Sequence, residues 1–135
     1  MSLSSDTVST RPLLDKLGVR PNSRIALVGA FDADFLALLR GRTEAVEEGI
    51  PAESVDLIFL AAESIADLAL LAELRARIVQ NGAIWIVSRK GKRATIRDTD
   101  VIAASIDAGL VDNKVVSFSP THTSLRAVIR LRDRH

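Results

Sequence analysis

The stretch Val55-Asp-Leu-Ile-Phe-Leu-Ala61 carries apolar side chains at nearly every position, which is typical of a strand that helices cover on both faces. Two other runs have the same character, Arg24–Gly29 and Ala83–Val87. Strand-like runs that alternate with helical segments are the pattern of an α/β protein with a parallel sheet. These three runs therefore predict the central strands of such a sheet.

Helical segments flank the three runs, as judged from apolar spacing and from the residues at their ends. We predict four helices: one from Pro12 to Gly18, one from Asp32 or Asp34 to near Gly41, one from Ser64 to about Gln80, and one from Asp98 or Thr99 to Gly109. Asn81-Gly82 is interpreted as the end of the third helix.

The remaining strand candidates lie outside the central runs. Arg42–Val46 is more polar and is predicted to lie nearer a sheet edge. Lys114–Ser119 and Leu125–Leu131 flank a short turn and are predicted to be antiparallel neighbours. The order of elements thus predicts an α/β fold, a Rossmann-like three-layer α/β/α sandwich. Its sheet is mostly parallel, with about six strands and a C-terminal antiparallel hairpin.

Composition limits the kinds of protein that this chain can be. It has 135 residues, 47% of them hydrophobic, and it has no cysteine, which excludes disulfides, Cys-ligated metal sites and a thiol nucleophile. Its longest apolar run, Ile25 to Phe31, is far shorter than the roughly 18 residues of a membrane span. No secretory signal is recognised. We expect a soluble, cytoplasmic protein without a membrane partner, with a flexible leader at 1–10 and one domain at 11–135.

The net charge of +1 conceals an uneven distribution, because residues 1–70 sum to −5 and residues 71–135 to +6. Four cations of the second half, Arg89, Lys90, Lys92 and Arg93, follow a predicted central strand directly. Ligands of open α/β sheets bind at the carboxyl ends of strands, so the basic loop Arg89–Arg97 occupies such a place. Three interpretations stay open for it: a solvated loop, a site for a small anion such as phosphate, or a nucleic-acid contact.

Two further side chains stand out. Trp85 lies among isoleucine and valine and is predicted to be part of the core, where its indole N–H needs an acceptor. His122 lies among hydroxyl-bearing residues and is predicted to be a turn residue rather than a catalytic one, since no nucleophile motif accompanies it. The histidines and carboxylates form no recognisable metal motif, so no metal is expected.

The order of elements is similar to that of class I S-adenosylmethionine-dependent methyltransferases. Four stretches give a narrower likeness, which covers about residues 11–132: Leu13–Gly18, Gly82–Ser88 with Lys90, Gly109–Val115 and Thr123–Arg130. Together they resemble a small bacterial family of unknown function, whose members are similar to shortened domains of that methyltransferase type. The chain departs from that family at Ser88-Arg89-Lys90-Gly91-Lys92 and at His122.

The resemblance implies S-adenosylmethionine as a cofactor, with Gly29, Asp32 and Glu47 as its contacts. The loop after the first strand has only Gly29 of the expected glycines, and Phe31 stands where bulk is unfavourable. The absence of G-x-G-x-x-G excludes NAD. A helix cap is the favoured interpretation of Asp32, and a solvated loop that of Glu47 with its neighbour Glu48.

Relative to a full methyltransferase, one strand–helix unit is missing between Val46 and Val55, because residues 47–54 are too few for a crossover helix. We therefore favour a vestigial, non-catalytic methyltransferase-like domain that acts as a binding or regulatory module, with a homodimer as one hypothesis. The alternatives are a small S-adenosylmethionine-dependent methyltransferase and a phosphate or nucleic-acid binder that uses the basic loop.

Overall fold

The computed structural model describes residues 12–135, so the predicted leader at 1–10 lies outside the described residues. One six-stranded sheet forms the centre, and its strands are β1 (Ile25–Val28), β2 (Val46–Glu48), β3 (Val55–Ala61), β4 (Ile78–Arg89), β5 (Leu110–Ser117) and β6 (His122–Ile129). Their order across the sheet is β2-β1-β3-β4-β6-β5. Strands β1 to β4 pair in parallel, whereas β6 is antiparallel to both β4 and β5. The predicted mixed sheet is thereby confirmed.

Helices cover both faces of this sheet. They are α1 (Leu13–Lys16), α2 (Ala33–Arg42), α3 (Ile65–Leu68), α4 (Leu71–Arg75) and α5 (Asp98–Asp107), with two single 3₁₀ turns at Gly91–Arg93 and Leu131–Asp133. On one face α1 and α2 contribute Leu14, Phe35 and other residues to a buried cluster. On the other face α3, α4 and α5 contribute Leu68, Leu71, Val101 and others to a second cluster. Because successive strand residues point to opposite faces, the continuous apolar runs fill both clusters, and the predicted three layers are confirmed.

The helix predicted from Ser64 to about Gln80 is wrong in its second half. Two short helices, α3 and α4, stand in its place, and β4 begins at Ile78. Asn81-Gly82 lies inside β4 instead of ending a helix. A Cβ on Gly82 would lie 2.7 Å from the carbonyl oxygen of Asp56, at the place where the pairing of β3 and β4 shifts register. This glycine therefore permits close approach of two strand backbones.

The strand predicted at Arg42–Val46 is displaced. Helix α2 continues through Arg42, whose guanidinium donates to the Asp15 carboxylate at 2.9 Å and to the Val19 carbonyl at 2.8 Å. The strand is Val46–Glu48, so Glu47 and Glu48 belong to a strand and not to a loop. Its predicted position at a sheet edge is confirmed, and residues 49–54 connect it to β3 without a helix.

Three predicted boundaries near the C-terminus also shift. The N-cap of α5 is Arg97 rather than Asp98 or Thr99, and the Asp100 carboxylate accepts from the Arg97 backbone N–H at 2.8 Å. Strand β5 begins at Leu110 rather than Lys114. Strand β6 begins at His122 rather than Leu125, so His122 is a strand residue and not a turn residue. The antiparallel pairing of the two strands is confirmed.

Helix α1 is held to the sheet by residues far along the chain. Trp85 is fully buried, as predicted, and its indole N–H donates to the Leu17 carbonyl at 3.0 Å. The Lys114 ammonium donates to the Lys16 carbonyl, also at 3.0 Å. A four-residue helix has too few internal hydrogen bonds to persist alone, so these contacts and the burial of Leu14 and Leu17 keep it in place.

Candidate functional site

Gly29 stands directly after β1, at the carboxyl ends of the parallel strands where open α/β sheets bind their ligands. Its φ is +97°, a conformation that residues with a Cβ rarely adopt. A Cβ here would lie only 2.9 Å from the Cβ of Ala61, the last residue of β3. The close approach of the two strand ends therefore explains why a glycine occupies this position.

Asp32 forms the N-cap of α2. Its carboxylate accepts from the Phe35 backbone N–H at 2.8 Å, and the Leu36 N–H donates to the Asp32 carbonyl at 3.2 Å. The cap interpretation of this residue is confirmed, whereas contact with a cofactor stays a prediction. The carboxylate satisfies one of the free N–H groups at the start of a helix and interacts favourably with the helix dipole.

We expect Asp32→Ala to lower the free energy of unfolding by about 1 kcal/mol, the usual cost of losing an N-cap side chain. Asp32→Asn keeps a capping oxygen and is expected to cost only a few tenths of that value. Urea unfolding followed by circular dichroism measures both variants. Equal stability of Asp32→Ala and the parent would contradict the capping role.

Phe31 follows Gly29 by two residues and packs among the other three phenylalanines of the chain. Its ring centroid is 5.7 Å from that of Phe35, 6.5 Å from that of Phe59 and 6.3 Å from that of Phe118. Centroid separations of this size are typical of favourable aromatic pairs. The four rings come from the loop after β1, the first turn of α2, strand β3 and the residue after β5. We call this cluster of Phe31, Phe35, Phe59 and Phe118 the aromatic plug, and it lies beside the end of β1.

Glu47 and Glu48 point to different surroundings. Glu47 lines a groove together with Arg24 and Val55, which come from the amino ends of β1 and β3. The structure thus does not group Glu47 with Gly29 and Asp32. Glu48 is the last residue of β2, and its carboxylate lies 3.7 Å from the Arg40 guanidinium.

In nucleotide-binding sheets an acid at the end of the second strand holds the ribose hydroxyls. Glu48 stands at that end of β2, whereas Glu47, the cofactor contact that the resemblance implies, precedes it. The residue after it is Gly49, with a φ of +97°. A glycine directly after a strand-like run marks the end of the strand, and this signal identifies Glu48 as the terminal acid.

The basic loop is partly neutralised within the fold. Arg89 forms an ion pair with Glu63 at 3.0 Å, and the Lys90 ammonium donates to the Ser117 hydroxyl at 2.8 Å. Lys92 and Arg93 lie in the exposed 3₁₀ turn Gly91–Arg93. The structure therefore brings Arg89 to Glu63 at the end of β3 and leaves Lys92 and Arg93 toward solvent; anion binding by this loop stays a prediction.

His122 opens β6 opposite Arg89, and its Nδ1 lies 2.8 Å from the Thr121 hydroxyl. Within residues 12–135 no group of three or more histidines or carboxylates is placed to hold a metal ion. Nor does any helix of that range have the length and apolar character needed to cross a bilayer.

Comparison with known proteins identifies the fold. No protein-family model matches the chain, and no curated protein matches it. Among solved structures, a SAM-dependent methyltransferase from Aquifex aeolicus superposes with a TM-score of 0.68 at 18% identity, over 87% of this chain and 88% of that one. Fibrillarin from Aeropyrum pernix, with natively bound S-adenosyl-L-methionine, gives 0.54 at 16% identity, over 82% and 68%.

An O-methyltransferase from neocarzinostatin biosynthesis, solved with S-adenosyl-L-homocysteine, gives a TM-score of 0.63 at 8% identity. The match covers 80% of this chain but only 49% of that protein, so the chain spans about half of its length. At such identities the likeness concerns the fold. The chain has the fold of class I S-adenosylmethionine-dependent methyltransferases in a shortened form, as the resemblance in the sequence implied.

Proposed function

We propose that this domain is a vestigial, non-catalytic form of the methyltransferase fold and acts as a binding or regulatory module. One observation carries the proposal: the four phenylalanines pack together beside the end of β1, with Phe31 in the loop where the resemblance implies a glycine-rich cofactor contact. A cofactor that approaches the backbone after the first strand needs this space free of side chains.

Two neighbouring features support the same proposal. The position of Asp32 is explained by its role as a helix cap, in which one oxygen of its carboxylate accepts from the Phe35 N–H. The connection from β2 to β3 spans only residues 49–54, which leaves out the strand–helix unit that would form part of a pocket wall. A pocket without that wall buries less of a ligand, and affinity falls accordingly.

The alternative is a small methyltransferase that uses S-adenosylmethionine. Its support is that Gly29 and Glu48 stand at the carboxyl ends of two adjacent parallel strands. Proteins that share this fold were solved with S-adenosylmethionine or S-adenosylhomocysteine. In this alternative Glu48, released from Arg40, would bind the ribose hydroxyls, while the groove at Glu47 would take no part.

A thermal-shift titration with S-adenosylmethionine and S-adenosylhomocysteine distinguishes the two. A ligand at about 100 times its dissociation constant stabilises the native state by roughly 2.7 kcal/mol, a shift of several degrees in a domain of this size. We expect no saturable shift for the parent at millimolar ligand. A saturable shift that Glu48→Gln abolishes would show a cofactor site at the end of β2 and favour the alternative instead, and Glu47→Gln is the matched control.

A further inference from the structure

A second cleft, of about 250 Å³, lies between α1 and the β5–β6 hairpin. Its walls come from the end of α1, from mid-β4 and from the two antiparallel strands, and none of the four phenylalanines lines it. Its lining includes the charged residues Asp15, Lys16, Lys114 and Arg126, together with Trp85 and Asn113. Three of these side chains carry a positive charge.

Trp85, Arg126 and Lys114 form a row across three neighbouring strands. Arg126 is directly opposite Trp85 of β4 and directly opposite Lys114 of β5. Residues opposite one another in a sheet share a face and have Cβ atoms about 5 Å apart, and like charges in such a pair destabilise the sheet. The pairing of Arg126 with Lys114 is therefore unfavourable unless negative charge lies nearby.

The nearest acid in the sequence does not supply that charge. The register of β5 shifts at Asn113, so Asp112 pairs with Ala127, which belongs to the core on the other face of the sheet. A bulge of this kind redirects side chains and is common beside functional sites. Here it turns Lys114 toward Arg126 and leaves Asp112 on the opposite face.

The remaining neighbours do not neutralise the positive charges of Arg126 and Lys114. Asp15 also lines the cleft, and its carboxylate accepts from Arg42 at 2.9 Å. None of the ion pairs within residues 12–135 includes Arg126. The Lys114 ammonium donates to a carbonyl, which leaves its charge in place. Burial, with a further contribution from the Arg134 guanidinium, lowers the pKa of Arg126, as expected for a cation without a counter-charge.

We propose that this cleft binds a phosphate group, held by the Arg126 guanidinium and the Lys114 ammonium. The planar fork of an arginine matches two phosphate oxygens, and a lysine supplies a point charge beside it. Three cations favour a doubly charged phosphate over a single carboxylate. A cleft of about 250 Å³ is small for a ligand site, so it suits inorganic phosphate or a small phosphate monoester. This inference does not depend on the proposed function.

The test uses the whole chain labelled with ¹⁵N. Trp85 is the only tryptophan, so its indole N–H gives a single cross-peak that reports on the cleft. Inorganic phosphate is titrated at constant ionic strength, with chloride as the reference anion. We expect a saturable shift of this cross-peak at millimolar phosphate, weakened at least 10-fold in Arg126→Gln. Lys114→Gln, at an exposed position, is expected to weaken it as well and provides a second variant.

The double variant Lys92→Gln/Arg93→Gln is the matched control, because it removes two exposed cations from the basic loop outside the cleft. It is expected to bind phosphate as the parent does. No saturable shift in the parent, or a loss in this control with Arg126→Gln unaffected, would overturn the proposal. Glycerol phosphate is titrated in parallel: equal affinity assigns the site to phosphate itself, and tighter binding assigns it to a monoester.

Thermal unfolding gives a readout that a merely structural arginine would not give. In phosphate-free buffer Arg126→Gln is expected to unfold at a temperature roughly 2–4 °C above the parent, because the variant removes a partly buried cation that lies near Arg134 and opposite Lys114. In saturating phosphate this order is expected to reverse. A variant less stable than the parent in both buffers would show that Arg126 serves the fold and would count against the site.

Discussion

Trp85→Ala is expected to lose about 3–5 kcal/mol of the free energy of unfolding, the range found when large buried aromatic side chains are truncated. Trp85 is fully buried at the centre of the cluster that α1 and α2 cover. Its removal leaves a cavity in β4, and the Leu17 carbonyl loses the donor that it accepts from at 3.0 Å. Urea unfolding followed by far-UV circular dichroism measures the change.

Trp85→Phe separates the two contributions. It keeps most of the apolar volume but loses the indole N–H, so the buried Leu17 carbonyl is left without that partner. We expect this variant to lose about 1–3 kcal/mol, the cost of an unsatisfied buried polar group. A loss of less than 1 kcal/mol in Trp85→Ala would mean that α1 is not anchored through this side chain.

Gly29→Ala is expected to destabilise the domain by about 2–4 kcal/mol. Part of this loss is backbone strain, because φ at this position is +97°. The rest is overpacking, since the new Cβ would lie 2.9 Å from the Ala61 Cβ and 3.1 Å from the Ala61 carbonyl oxygen. Chemical denaturation monitored by circular dichroism provides the measurement.

Gly49→Ala is a matched control for this variant. Gly49 has the same φ of +97°, but a Cβ there would meet no atom within 4 Å. Gly49→Ala is therefore expected to introduce backbone strain without overpacking. The difference between the two variants in free energy of unfolding measures the contact with Ala61. If both variants lose the same stability, the strand ends are not tightly packed, and the structural explanation of Gly29 fails.

The fold was predictable because its central strands are apolar on both faces. Val55–Ala61 and Ala83–Val87 are runs of this type, and the structure places them side by side as β3 and β4. The short turn before Leu125 likewise predicted the antiparallel hairpin, which β5 and β6 form. Patterns of this kind depend only on residues close together in the chain, so they can be recognised from the sequence alone.

The wrong predictions concern features that distant residues determine. Gly82 suits a helix end by its local sequence, but its place in β4 follows from the Asp56 backbone, which no local pattern reveals. Strand β2 has only three residues and pairs on one side, so its alternation was too short to locate. In both places tertiary pairing overrides the local preference of the chain.

The candidate site residues also divide into those whose role depends on local sequence and those whose role depends on distant residues. The cap formed by Asp32 was predictable because capping acts over three residues. The ion pair of Arg89 with Glu63 joins residues 26 positions apart, and the sequence placed Arg89 only in a row of cations. The opposition of Arg126 and Lys114 depends on one extra residue, Asn113, in a strand register, and a shift of one residue exchanges the faces of a strand.

The attachment of α1 has a consequence for synthesis on the ribosome. Trp85 and Lys114, which bond to the Leu17 and Lys16 carbonyls, are made 68 and 98 residues after them. At about 5–20 residues per second, the segment that becomes α1 leaves the ribosome at least several seconds before Lys114 exists. During that interval Leu14 and Leu17 have no partner from β4 or β5. The contacts of α1 are therefore completed late, when the C-terminal hairpin closes over it.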